Sequence, residues 1–181
     1  MSGGRLVAVV GPSGVGKDSV MAGIAAAAPG FRLVRRCITR APGLGGEDYE
    51  PLTPAAFAAR VASGGFCLHW EAHGLHYGIP AGVRDELAAG TDCLANLSRS
   101  ALPRAAQVFE RLRVLHVTAA PEVLARRLAA RGRESGPDIR NRLAQADKPL
   151  PPGLDVLRVS NDGALDDTVA AALAALQAER V

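Results

Sequence analysis

The chain is short of lysine and of aromatic side chains. Of its 181 residues only Lys17 and Lys148 are lysines, and the aromatics amount to four Phe, two Tyr and one Trp. The net charge of +3 therefore rests on 19 arginines plus those two lysines against 18 acidic residues. A basic excess that small, held in guanidinium forks, suits a small polyphosphate as well as a nucleic acid, and alone selects neither. With so few rings the core must be built from small and branched aliphatics, among them 34 alanines. Cys37, Cys67 and Cys93 are too scattered for a disulfide framework or a close-spaced zinc motif, which fits a reducing compartment. No apolar run approaches the roughly 20 residues of a membrane span. The opening MSGGRLVAVVG has too short an apolar stretch for a signal peptide and runs straight into a glycine-rich turn. A cytoplasmic protein with no membrane partner is the expectation, and the length suits one domain.

What is present is an alternation of strands and helices. Arg5 to Val10 reads as a strand, Gly11 to Gly16 as a loop, and Lys17 to Ala28 as a helix ended by Pro29-Gly30. Phe31 to Ile38 predicts a second strand and Thr39 to Thr53 a Gly/Pro-rich loop. Pro54 to Ala62 predicts a helix capped by Thr53, and strands at Phe66 to Trp70 and Leu75 to Ile79 flank His73-Gly74. Further helices are expected at 81–89, 102–110, from Pro121 to about 130, partly over 131–147, and at 165–178. Strands are expected at 92–97, 114–117 and 156–160. This order implies an α/β fold with a mainly parallel sheet.

Gly11-Pro12-Ser13-Gly14-Val15-Gly16-Lys17 fits the glycine, four residues, glycine, lysine rule, directly after a strand and opening a helix. Such a loop wraps its amides around an anion, and Lys17 reaches the outer phosphates of a nucleoside triphosphate, ATP being the expected substrate. Where the motif places a magnesium-binding hydroxyl the chain has Asp18, with Ser19 one position later. A carboxylate can hold Mg2+ directly or through water, and Asp18 and Ser19 are both metal candidates.

Two further clusters complete the plan. Arg35, Arg36 and Arg40 stand beside the glycine-rich stretch ending in Glu47 and Asp48, where planar forks suit a phosphorylated acceptor. In WEAHGLHYG, Trp70, His73 and Tyr77 form a second acceptor candidate, against the plainer reading that the rings fill core gaps. Arg126, Arg127, Arg131, Arg133, Arg140 and Arg142 follow, with Gly132 as a pivot for a lid. A charge run is ordinarily a solvated face. Beside a triphosphate site, Arg131, Arg133 and Arg142 become candidates to offset charge on the transferring phosphoryl group.

GPSGVGK, Thr39-Arg40, Gly46-Glu47, His73 to Gly78, Arg131 to Ser135 and Asn161-Asp162 together resemble the guanylate kinase family of P-loop kinases over nearly the whole chain. The resemblance implies a three-layer P-loop NTPase fold over 1–181, with an acceptor-binding region at approximately 35–80 and a lid at approximately 126–147. It implies Arg40 and Tyr77 on acceptor phosphate, Arg131 near adenine, Arg133 and Arg142 near the phosphates, and Asn161 near the base. Gly43 stands where guanylate kinases have a second arginine, and Leu68 where they have a guanine-reading Glu. An apolar Leu68 accepts no hydrogen bond from guanine.

GKDS, RxITR, GGED, FxLxWEAHGLxYG and NDG instead resemble the ribose 1,5-bisphosphate phosphokinases of bacterial phosphonate breakdown. These use ATP and Mg2+ to convert the sugar bisphosphate to 5-phospho-α-D-ribose 1-diphosphate (PRPP). On that pattern Lys17, Arg133 and Arg142 are catalytic. Gly11 to Ser19, Arg131 and Asn161 bind ATP, and Arg36, Arg40, Glu47, Trp70, His73 and Tyr77 bind the acceptor. A nucleoside monophosphate kinase and an inactive interaction module are the competing readings. No nucleic-acid partner is expected, since no base-reading module is present, and a homo-oligomer is compatible with the sequence.

Overall fold

A computed structural model describes residues 3–132, 134–146 and 148–178 of the chain. In chain order the elements are β1 (Leu6–Val10), α1 (Lys17–Ala27), β2 (Phe31–Leu33), β3 (Cys37–Ile38), β4 (Glu50–Pro51), α2 (Pro54–Ala62), β5 (Phe66–Ala72) and β6 (Leu75–Pro80). There follow α3 (Val83–Ala88), β7 (Asp92–Asn96), a 3₁₀ turn (Arg99–Ala101), α4 (Leu102–Val108), β8 (Leu112–Thr118), α5 (Pro121–Ala130), α6 (Gly136–Ala146), β9 (Val156–Ser160) and α7 (Leu165–Ala178).

Five strands form an all-parallel sheet in the order β2-β7-β1-β8-β9. All five residues of the central strand, LVAVV, are fully buried. A strand covered on both faces needs such an unbroken apolar run rather than an alternating one. Leu6, Ala8 and Val10 join one core with Leu97, Leu102 and Val114, while Val7 and Val9 join another with Ile24, Leu115 and Leu176. The sheet is thus the middle of three layers. Among the described residues no helix is long and apolar enough to cross a membrane.

The expected strand over 31–38 is in fact two strands in different sheets. Val34 N still bonds the Leu94 carbonyl at 2.9 Å, and the chain then leaves through Arg35 and the buried Arg36 to pair β3 antiparallel with β6. This builds a second, mixed sheet of four strands in the order β4-β3-β6-β5, which the alternation of elements did not announce. The expected 39–53 loop supplies one of its edges, β4. Thr53 caps α2 as expected, its Oγ1 accepting from Ala56 N at 3.1 Å with Pro54 in the first turn.

Candidate active site

The loop between β1 and α1 is shaped by its glycines. A side chain at Gly11 would meet the Val117 carbonyl at 2.4 Å, and Gly16 takes φ 93°, where L side chains are strained. No side chain caps α1. Its first-turn amides are left for an acceptor such as a phosphate oxygen, while Thr53 shows how the same chain caps a helix that has no such task.

Lys17 is folded back over this loop, Nζ donating to the Gly11 carbonyl at 2.8 Å and the Pro12 carbonyl at 3.3 Å. Burial is the main cause that pushes its pKa down to about 8, with Arg36 and Arg99 adding to the shift and Asp18 and Glu47 opposing it. Asp18 Oδ1 accepts from Asn96 Nδ2 at 3.2 Å, leaving Oδ2 without a hydrogen bond among the described residues. Ser19 is exposed. One half-exposed carboxylate with a free oxygen suits Mg2+, which keeps waters and takes one or two protein carboxylates.

Behind the loop, Asn161 is 5% exposed, and its Nδ2 donates to the Val15 carbonyl at 2.8 Å. Its Oδ1 accepts from the Thr168 hydroxyl at 2.9 Å. Arg127 grips the same place, donating to the Asn161 carbonyl at 2.7 Å and to Val15 at 3.4 Å. The structure therefore puts Asn161 behind the loop as a brace, with both ends of its amide engaged by protein.

From the far side comes α6. Arg142 donates to the Ser13 hydroxyl and pairs with Glu134 at 2.9 Å, so α6, within the stretch expected to form a lid, touches the loop. Arg131 ends α5 and is exposed, with Gly132 following at φ 63°. Arg133 lies outside the described residues.

The acceptor side is assembled by the second sheet. Trp70 and Tyr77, cross-strand partners on β5 and β6, stack at 5.4 Å and 10°. The Arg36 guanidinium lies 5.0 Å from the Tyr77 ring centroid and 6.0 Å from that of Trp70. Each guanidinium nitrogen of Arg36 makes a hydrogen bond, Nε and Nη2 donating to Glu47 at 2.6 and 2.5 Å and Nη1 to the Asn96 carbonyl at 2.8 Å. Arg40 sits 5.4 Å from the Tyr49 ring, and Tyr49 packs with Ile38 and Tyr77. The two arginines thus flank one tyrosine cluster, and Arg40 makes no ion pair among the described residues. Trp70 Nε1 donates to Ser98 Oγ at 2.9 Å.

His73 is placed apart. It occupies the exposed tip of the β5–β6 turn at φ 53°, three pairs up the ribbon from Tyr77, or about 10 Å at the rise of a strand. Leu68 is 1% exposed and belongs to the core. Asn96, Tyr49 and Thr168 are further members of the site that no sequence motif marks. Of these only Asn96 left a signal, a polar residue at the carboxyl end of a parallel strand, where ligands gather in such sheets.

A glycine loop joining a central parallel strand to an uncapped helix, with Arg142 of α6 resting on it, is the arrangement of a P-loop kinase. No family model matches the chain. Among solved structures it is similar to guanylate kinase from Anaplasma phagocytophilum, with TM-score 0.71 and 18% identity over 99% of this chain and 87% of that one. A gluconokinase from Sinorhizobium meliloti follows at TM-score 0.56 and 21% identity, covering 97% of this chain and 93% of the other. Among curated proteins it is 53% identical over 178 residues to ribose 1,5-bisphosphate phosphokinase PhnN of Ruegeria sp. (strain TM1040), covering 98% of this chain and 94% of the relative. The same-named protein of Agrobacterium fabrum is 46% identical, over 90% of each chain. The chain belongs to the ribose 1,5-bisphosphate phosphokinase family.

Proposed function

We propose that the chain transfers the γ-phosphoryl group of ATP to the 1-phosphate of α-D-ribose 1,5-bisphosphate, giving PRPP and ADP. The observation that carries this is identity of about half along nearly the whole length of a relative bearing that activity's name. The site agrees with it. A sugar bisphosphate offers phosphates and hydroxyls but no base, and the acceptor face offers guanidinium groups and a tyrosine while Leu68 offers nothing to guanine. We take 1–181 as one kinase domain in the cytoplasm, with acceptor and lid regions at approximately 35–80 and 126–147.

An oxygen of the 1-phosphate attacks the γ-phosphorus, the bond from that phosphorus to the β,γ-bridging oxygen breaks, and ADP leaves. The nucleophile is already anionic, so alignment matters more than a general base. Lys17 exchanges its contacts with the Gly11 and Pro12 carbonyls for phosphate oxygens, and Arg133 and Arg142 meet the developing charge. Arg40 and the Tyr77 hydroxyl receive acceptor phosphate. Arg36, tied to Glu47, fixes the floor on which they stand. Asp18 would hold Mg2+, which would supply charge neutralisation to the triphosphate.

ATP offered with ribose 1,5-bisphosphate, GMP, AMP and gluconate tests the assignment. Rapid turnover of the sugar bisphosphate alone is expected. Strong GMP turnover without it would overturn the reading, and ATP binding with no transfer to any acceptor would favour an interaction module.

A further inference from the structure

A cavity of about 620 Å³ opens at the base of the lid, with none of the acceptor candidates in its lining. Its floor is His116 of β8 and Arg158 of β9, which are register partners in the parallel sheet. Its walls are Pro12 of the phosphate loop, Leu124 of α5, Leu143 of α6 and the segment from Lys148 to Leu150. A volume of this size is that of a small-molecule site.

The polar lining is one-sided. Arg158 and Lys148 are cationic, neither has a side-chain partner among the described residues, and no carboxylate among those residues lines the cavity. His116 is 8% exposed, and its Nδ1 is sealed from solvent with no hydrogen-bond partner. Nε2 also lacks a partner but is not sealed, so it is the nitrogen that opens on the cavity. A proton on Nδ1 would be a buried donor with no acceptor, so the neutral ring keeps its proton on Nε2 and offers a donor inward. Three side chains therefore converge as donors, and Thr118, the remaining hydroxyl of the lining, spends its own proton on the Val159 carbonyl at 3.3 Å. Such a set wants an acceptor-only ligand.

We propose that this cavity binds an oxyanion of the phosphate class, held by His116 Nε2, Arg158 and Lys148, as a site separate from the loop that grips the triphosphate. Leu124, Leu143 and Leu150 give it an apolar half, so a phosphate ester with a small organic group fills it better than the free ion. The walls belong to the lid helix and the segment after it, the floor to the sheet, so an occupant ties the base of the lid to β8 and β9. Burial chiefly, then Arg99 of the 3₁₀ turn and Arg158, hold the His116 pKa below its ordinary value. A bound anion offsets the repulsion from Arg99 and Arg158, so its binding favours the protonated ring.

Titration calorimetry with sulfate tests this on the wild type, Lys17→Ala and Arg158→Gln, the last on an exposed strand position. Two sites are expected in the wild type, one surviving in each variant, with His116→Gln weakening the same site as Arg158→Gln by tenfold or more. A single site lost in Lys17→Ala and untouched by Arg158→Gln would overturn the proposal. Loss confined to Arg158→Gln, with Lys17→Ala inert, would instead count against the loop assignment and leave this one standing. In Lys17→Ala, sulfate should bind more tightly at pH 5.5 than at 7.5 and protect amides of 143–150 from hydrogen exchange; flat responses in both would overturn the site. Phenyl phosphate binding at least tenfold more tightly than inorganic phosphate identifies an organic ester as occupant, and equal binding identifies the free ion.

Discussion

Asn161 reaches back across the sequence to hold Val15, its Nδ2 2.8 Å from that carbonyl at the crown of the phosphate loop. Thr168 fixes the amide from the other end, so the loop is pinned by the start of α7. Asn161→Ala should lower stability by about 1–2 kcal/mol, the value of a buried bond whose partner is left unsatisfied. It should also raise the Kd for ATP severalfold while changing kcat at saturation less. Asn161→Asp should be worse, because a carboxylate would face a carbonyl oxygen. Thermal unfolding beside nucleotide titration checks this; a wild-type melting temperature in the alanine variant would refute the brace.

Lys17→Ala should leave the fold intact and reduce kcat by about 10²-fold or more, the usual effect of removing one charge stabiliser of a phosphoryl transfer. Unchanged turnover would remove Lys17 from the mechanism.

The pH dependence of that lysine can be signed. Its pKa of about 8 in the free protein rises when phosphates replace carbonyls around it. Between the free and bound values ATP binding must take up a proton, and affinity must fall as pH climbs above about 8. Calorimetry at pH 8.5 in buffers of differing ionisation enthalpy should show uptake that Lys17→Met abolishes. For folding the sign is opposite. A lowered lysine pKa opposes the folded state below pH 8, and that penalty is relieved as pH rises towards the ordinary lysine value of 10.5.

Glu47→Ala should cost about 3–5 kcal/mol, since it leaves the buried Arg36 charge without its bidentate partner. Adding Arg36→Met should recover much of the stability and none of the acceptor affinity. Unfolding and KM measured on both variants separate the two effects. Activity restored along with stability would mean that Arg36 does nothing but fold.

Arg142→Ala should depress kcat about 10²–10³-fold with little change in the KM for ATP, as expected of a charge that meets the transferring group late. A rise in KM alone would assign it to ground-state binding.

The phosphate loop was legible because its chemistry is local: glycines, amides and one lysine within seven positions of a strand-to-helix turn. The partnership of Arg36 with Glu47 was not, though both were singled out, because nothing in the sequence says that one will neutralise the other. Their residue types point to the substrate, and the structure turns them towards each other. The second sheet was hidden for another reason. Its β3 and β4 are two residues each, too short to show any periodicity; β3 exists through pairing with β6 some forty positions further on, and β4 through pairing with β3. His73 looked chemical among Trp70 and Tyr77, but a strand alternates and then turns, and it stands at the turn.

The three thiols are all buried, and each is less acidic than an ordinary cysteine; Cys37 is pushed up to about 11 by burial and by the Glu50 carboxylate beside it. Thiolate is the species that alkylates. At neutral pH the native protein should therefore be nearly silent to maleimides, and a cysteine placed on the outer face of α6 would carry a fluorophore alone. Movement of α6 on ATP binding is then read by energy transfer or quenching without removing any natural residue.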